Sequence, residues 1–201
     1  MMSKNRELVR RWLKSKGRLD IFEHLEMYNE LITRWKEIYN IVGGDEDKRW
    51  RLIGESLLAM DLIDGGDIID VGSGGGIPAI PLAIAIDYNS ITMVEPNERK
   101  AFILEDIVNK LGLLNVSIFS SQIEEIRMYM KYNIITIRGI SITRRLLNLL
   151  MKILKEDGRC IIYTGQLSDR VRIFLERRGW RFYNKNHTIS GFRGLIYLSR
   201  G

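Results

Sequence analysis

The sequence predicts an α/β fold: a mainly parallel, doubly wound, seven-stranded sheet with helices on both faces, preceded by an N-terminal helical extension. Three observations carry this expectation. From residue 68 onward, short apolar runs alternate with helix-length amphipathic segments, the pattern of βαβ units. A glycine-rich turn, Asp70-Val71-Gly72-Ser73-Gly74-Gly75-Gly76, joins the first such run to the next helix. The first 44 residues instead repeat apolar positions at three- and four-residue steps, which is helical spacing. At 201 residues the chain fits one compact unit, with residues 1–45 as the extension and 46–201 as the α/β domain.

In chain order, residues 6–15 form a short helix stopped at Gly17. Leu25, Tyr28, Leu31, Ile32, Trp35, Ile38, Tyr39 and Val42 give the apolar stripe of a second helix, ended by Gly43-Gly44. Residues 51–62 make a third, before Asp64-Gly65-Gly66. Strands follow at 68–71, 90–94, 116–119, 134–137 and 159–163, separated by helices at 80–86, 97–111, 123–129, 142–154 and 168–178. Residues 181–183 and 195–198 read as a closing β pair.

Composition narrows the classes. Thirty-one Lys and Arg against 25 Asp and Glu give a net charge of +6, and the pI is near 9.5, so the chain is attracted to polyanions. The basic residues cluster: Lys4, Arg6, Arg10, Arg11, Lys14, Lys16 and Arg18 at the start, and Arg170, Arg172, Arg177, Arg178 and Arg181 later. Cys160 is the single cysteine, which excludes an internal disulfide and a multi-cysteine metal site. No run approaches the roughly 20 apolar residues of a membrane span, and no signal peptide is expected. A cytoplasmic protein without a resident metal, a membrane association or an obligate protein partner is the resulting expectation.

In a doubly wound sheet, ligands sit at the carboxyl ends of the strands. The turn after residue 71 reads D-x-G-x-G-x-G, whereas a dinucleotide loop reads G-x-G-x-x-G and would place its last glycine at position 77, which is Ile77. The observed pattern is that of S-adenosylmethionine-dependent methyltransferases. That cofactor has no pyrophosphate to seat on a helix N-terminus, but its cationic amine and sulfonium favour a carboxylate such as Asp70. Glu95, ending the second strand 25 residues later, is placed to accept hydrogen bonds from ribose hydroxyls. Backbone amides of Gln122 and Ile123 flank the adenine, although a plain helix cap at Ser121 explains that turn equally well. Arg138 ends the fourth strand over the cofactor cleft and suits a phosphate or an electron-rich base; a structural ion pair is the competing reading.

The stretch Asp70-Val71-Gly72-Ser73-Gly74-Gly75-Gly76-Ile77-Pro78-Ala79-Ile80-Pro81-Leu82-Ala83 resembles the "DxGSGAGFPGIPLAI" loop of the glucose-inhibited division protein B family. Residues 28–42 are similar to its "Y…LL..WN..INLT" helix, Glu55-Ser56-Leu57 to "DSL", residues 97–103 to "GKRVxFL", residues 111–116 to "LGLxNV" and Thr136-Ile137-Arg138-Gly139 to "TSRA". The resemblance spans roughly residues 25–165. It implies a Rossmann-like class I methyltransferase, S-adenosylmethionine as cofactor, and transfer to N7 of a guanine in small-subunit (16S) rRNA. It also implies a cofactor loop at Gly72, Gly74 and Gly76, a ribose acid at Glu95, a functional Arg138 and a further arginine near Arg193; with the loop residues Asp70 and Ser73 these are the expected cofactor contacts, Arg138 is the expected catalytic residue and Arg193 an expected substrate contact. Gln122 stands where the family carries an arginine, and Glu55 where it carries aspartate.

Guanine N7 has a free lone pair, so no strong base is needed, consistent with only two histidines, His24 and His187, neither at a predicted strand end. Arg10, Arg11 and Lys14 are candidates for clamping RNA, and Trp12, Trp35 and Trp50 for stacking on bases, though Trp35 also fits a core stripe. The partner expected is rRNA or the small ribosomal subunit. The rival readings are a methyltransferase of a protein or small molecule, and a non-catalytic RNA-binding module, which Gln122 favours.

Overall fold

The computed structural model describes residues 3–39, 41–87, 89–126, 132–164, 166–185 and 195–200. Seven strands form one sheet: β1 (Ile68–Val71), β2 (Ile91–Val94), β3 (Val116–Phe119), β4 (Tyr132–Ile137), β5 (Leu154–Ile162), β6 (Trp180–Lys185) and β7 (Leu195–Arg200). Their spatial order is β3-β2-β1-β4-β5-β7-β6. All pairings from β3 to β5 are parallel; β7 runs antiparallel to both β5 and β6. The order reverses direction at β1, so the switch point falls between β1 and β4, the place where open α/β sheets bind their ligands.

The helices are α1 (Lys4–Ser15), α2 (Phe22–Ile38), α3 (Glu46–Leu57), α4 (Ala79–Ala85), α5 (Glu98–Leu111), α6 (Arg144–Ile153) and α7 (Asp169–Glu176). Their starts are locally encoded: the side chains of Ser3, Asp45, Asn97 and Thr143 each accept a first-turn backbone N–H. α5 stops at Gly112, whose φ of 65° is left-handed.

Side-chain alternation in the strands divides the core. Ile68 and Ile91 point to one face, packed with α1–α5; Ile69 and Val71 point to the other, packed with α6 and α7. Val9, Leu13, Leu25 and Tyr28 of the first two helices are buried in the same cluster as Ile80 and Leu82 of α4, so these helices share the core of the sheet.

Several boundaries moved. The second helix starts at Phe22 and ends at Ile38, the third spans Glu46–Leu57 rather than 51–62, and β5 begins at Leu154. The helix expected at 123–129 is a 3-10 turn at Ile123–Glu125; residues 127–131 lie outside the described residues. Trp50 is stacked on Phe22 with 1% exposure, and Trp12 is also buried, so neither presents a face to a base. Trp35 is half-buried, and its indole N–H donates to Asp106 Oδ2 at 2.9 Å. No helix among the described residues is long and apolar enough to cross a membrane.

Candidate functional site

β1 is hydrogen-bonded to β2 and β4, with Asp70 level with Met93 and Thr136. At its end the chain turns over β2: the N–H groups of Gly72 and Ser73 both donate to the Val94 carbonyl, at 2.9 and 3.0 Å. Gly74 N–H then donates to Glu95 Oε2 at 2.7 Å, while Asn97 N–H donates to Glu95 Oε1 at 3.0 Å. The buried Glu95 carboxylate therefore ties the glycine turn to the end of β2, and each oxygen keeps acceptor capacity for a ligand hydroxyl.

The turn is also held from behind. Tyr28 of α2 donates its hydroxyl to the Gly75 carbonyl at 2.7 Å. A Cβ at Gly75 would collide with Val42 Cγ2 and lie 3.1 Å from the Ile41 carbonyl oxygen, so only glycine lets these layers close. Gly76 has φ of 86°, and its Cβ would meet Ile80 Cδ1 and Leu104.

Asp70 is 1% exposed. Thr136 donates its hydroxyl to Asp70 Oδ1 at 2.6 Å, and the Ser73 hydroxyl donates to the Asp70 carbonyl at 3.2 Å. Asp70 Oδ2 is buried and makes no hydrogen bond among the described residues. Burial raises its pKa to about 6, against the opposing pull of Thr136, Ser73 and the Arg138 charge. A buried carboxylate with an open oxygen fits a cationic group such as an ammonium or sulfonium.

Arg138 follows β4. Its guanidinium pairs with Glu55 Oε2 from α3 and lies 5.4 Å from the centre of the Tyr163 ring. Tyr163 N–H donates to the Ile137 carbonyl and its hydroxyl to the Ser56 carbonyl, fixing the ring. Arg51 Nε stands 3.9 Å from Glu55 Oε1. Arg138 Nη1 is buried without a hydrogen-bond partner among the described residues. A cavity of about 400 Å³ opens at the ends of β4 and β5, lined in part by Ile137, Gly139, Ile140, Tyr163 and Ser168; the Arg138 side chain does not line it. Burial pushes the hydroxyls of both Tyr28 and Tyr163 well above the ordinary phenol range, so neither serves as a base near neutrality.

The structure thus brings Asp70, Gly72, Ser73, Gly74, Gly76, Glu95 and Arg138 to the carboxyl ends of the neighbouring strands β1, β2 and β4. The turn at Gln122 and Ile123 follows β3, whose Phe119 carbonyl accepts Glu95 N–H at 3.1 Å, so it neighbours the Glu95 end of the cleft. Arg193 and His187 lie outside the described residues. Arg10, Arg11 and Lys14 are exposed on α1, which packs against α3, and Arg11 is paired with Glu7. Buried Cys160 has its thiol pushed up to about 12 and is no nucleophile. Sequence reading missed Thr136, Tyr28, Tyr163 and the role of Glu55 as partner to Arg138. Thr136 and Glu55 stand inside quoted motifs, but nothing local marks what they touch.

Comparison with known proteins agrees with this architecture. The family model described as GidB, rRNA small subunit methyltransferase G, matches residues 21–178. The chain is 33% identical over 144 residues to "Ribosomal RNA small subunit methyltransferase G" of Laribacter hongkongensis, covering 71% of this chain and 70% of that protein. It is 30% identical to the protein of the same name in Helicobacter hepaticus, covering 72% and 80%. Among solved structures, a SAM dependent methyltransferase from Aquifex aeolicus superposes with a TM-score of 0.60 at 18% identity, over 75% of this chain and 92% of that one. A precorrin-6y C5,15-methyltransferase from Geobacter metallireducens gives 0.59 at 15% identity, over 81% and 92%; at such identities these two speak to the fold alone.

Proposed function

Because this chain belongs to the GidB family, rRNA small subunit methyltransferase G, we propose that its cleft transfers a methyl group to N7 of a guanine in 16S rRNA. The enzyme is an S-adenosylmethionine-dependent methyltransferase, and its substrate is small-subunit rRNA. The observation that carries the residue-level reading is the Gly74 N–H bonded to the Glu95 carboxylate, beside a buried Asp70 with one open oxygen.

On this reading Glu95 accepts the ribose hydroxyls, and Asp70 faces the cationic end of the cofactor. The backbone of Gly72, Ser73, Gly74 and Gly76 lies against the ligand, and the amides of Gln122 and Ile123 border the adenine. When bound, S-adenosylmethionine supplies a methyl group on a positively charged sulfur. Arg138 is assigned to the guanine, its guanidinium donating to O6 and leaving the N7 lone pair free. Transfer of that methyl, with its C–S bond exchanged for a bond to N7, would leave the positive charge on the purine. No proton has to leave N7, so the transfer requires no general base. Glu55 neutralises Arg138, so the purine gains its charge beside an ion pair and not beside a net cation. Catalysis is then mainly positioning, worth roughly 7–11 kcal/mol where geometry is good. Arg10, Arg11 and Lys14 on α1, and Arg193, are assigned to rRNA phosphates. The substrate also puts the protein in the cytoplasm, with residues 1–45 acting as one unit with residues 46–201.

Calorimetry with S-adenosylmethionine and NAD side by side, followed by mapping of 7-methylguanosine in treated rRNA, tests the assignment. Selective binding of S-adenosylmethionine and one new 7-methylguanosine are expected. Glu95→Ala is expected to weaken cofactor binding by about tenfold or more, the loss of hydrogen bonds to a charged acceptor; an unchanged Kd would place the ribose elsewhere.

A further inference from the structure

The second basic cluster of the sequence has no part in the cleft, and its arrangement on α7 is one-sided. Val171, Phe174 and Leu175 form the buried face of the helix. Arg170 and Arg177 are seven residues apart, hence about two turns and about 10 Å along the same flank. Half-exposed Ile173 lies between them. This flank faces the start of α6: the guanidiniums of Arg178 and Arg144 both lie over the Phe174 ring, at 3.8 and 5.9 Å from its centre. Asp169 and Glu176, the two acids of α7, are also seven apart and lie about 100° further round the helix, toward Arg172.

Four of the seven cations of the N-terminal cluster are otherwise engaged. Arg6 pairs with Glu26, Arg11 with Glu7, Lys16 with Asp61 and Arg18 with Asp20. By contrast, among the described residues no carboxylate lies within ion-pair distance of Arg144, Arg170, Arg177 or Arg178. Four like charges held along one groove without internal compensation raise the local potential and favour an external polyanion. All four are arginines, whose planar guanidiniums match phosphate oxygens in pairs. The start of α7 also reaches the ends of β4 and β5. Ser168 and Val171 line the same 400 Å³ cavity as Tyr163 and as Ile137 and Gly139, the chain neighbours of Arg138.

We propose that the α6–α7 groove, through Arg144, Arg170, Arg177 and Arg178, holds the phosphate backbone of the substrate RNA next to the target base. This rests on the rRNA methyltransferase reading given above. The full-length Arg170→Gln/Arg177→Gln variant tests it, since neither side chain takes part in a ring contact. Binding to naked 16S rRNA is measured across a salt series, with S-adenosylmethionine affinity as the check on folding. The slope of log K against log salt is expected to fall by about one per arginine removed, and the Kd for RNA near 0.15 M salt to rise by roughly tenfold, with cofactor affinity at the parental value. A parental slope and Kd in the variant would overturn the groove assignment while leaving the methyltransferase reading intact. If the parent chain neither binds nor methylates small-subunit RNA, both fall together. Weakened binding to assembled small subunits alone, with naked rRNA bound as before, would hand the groove to a ribosomal protein and also refute the proposal.

Discussion

Removing the Glu55 side chain isolates the energetics of the cleft. In the Arg138–Glu55 pair only 15% and 3% of the side-chain surfaces are exposed. Two unit charges about 4 Å apart in surroundings with an effective dielectric constant near 20 attract by about 4 kcal/mol. Independently, stripping one partner from a buried pair costs about 3–5 kcal/mol, because the other charge stays buried and uncompensated. Glu55→Ala does more than that: it leaves Arg138 and Arg51 facing the same vacated space, since both approach the Glu55 carboxylate. Arg138→Ala is milder, because Glu55 keeps Arg51. The expected order of urea stability is therefore parent, Arg138→Ala, then Glu55→Ala, with the last about 3–5 kcal/mol below the parent. The double variant is expected to be more stable than Glu55→Ala alone, with a coupling energy of about 2 kcal/mol or more. A loss that large is a sizeable part of the roughly 5–15 kcal/mol available to a domain, so the double variant keeps the test readable if the single one fails to fold. Equilibrium urea unfolding of all four proteins, with unchanged m-values, supplies the cycle. Additive losses would show that Glu55 does not compensate Arg138, and would refute the neutral ion-pair picture of the cleft.

Two further outcomes follow from the site. Folding raises the Asp70 pKa from 3.8 to about 6, so the ligand-free protein binds a proton there that the unfolded chain has released. The penalty is absent below pH 3.8, grows up to about pH 6, and is then complete at roughly 3 kcal/mol. Asp70→Asn is expected to flatten the stability profile between pH 4 and 6, while the parent's cofactor affinity tightens as pH rises through 6; a parental profile in the variant would rule out Asp70 as the titrating group. Tyr28→Phe strands the Gly75 carbonyl and is expected to cost about 1–3 kcal/mol in thermal unfolding, together with weaker S-adenosylmethionine binding by calorimetry, and equal cofactor affinity would show that α2 does not set the turn.

Local signals in the sequence were enough for the sheet. β1 and β3 were read with the residues they have, because each is a short apolar run bracketed by turn formers. Where reading slipped, a competing signal existed. Asp45, followed by Glu46 and Asp47, is a start signal for α3 that the expected start at residue 51 passes over. Val42 keeps the rhythm of α2, yet the helix ends at Ile38; Val42 is buried by packing on Gly75 and not by helix geometry. The polar run Lys155-Glu156-Asp157-Gly158 reads as a turn but belongs to β5, where the β4 ladder shifts register. In the cleft, the glycine turn and its acids were legible because a ligand-binding loop is a local object. The partners of Arg138 and Gly75 were not: Glu55 is 83 residues from Arg138, and Tyr28 is 47 from Gly75. A side chain's type carries no trace of a neighbour that arrives by topology.

The placement of β7 between β5 and β6 has a consequence for how the molecule is made. β5 and β6 are consecutive along the chain, yet they never pair; each waits for a strand that is synthesised after both. A nascent chain emerging from the ribosome can therefore complete the β3-β2-β1-β4-β5 half early, but it carries β5 as an open edge until residues 195–200 arrive. That edge includes Arg159, Cys160, Ile161 and Ile162, which later pair with β7. An interrupted translation that stopped short of β7 would release a product with a raw, sticky sheet margin, which is the kind of species that chaperones and proteases intercept.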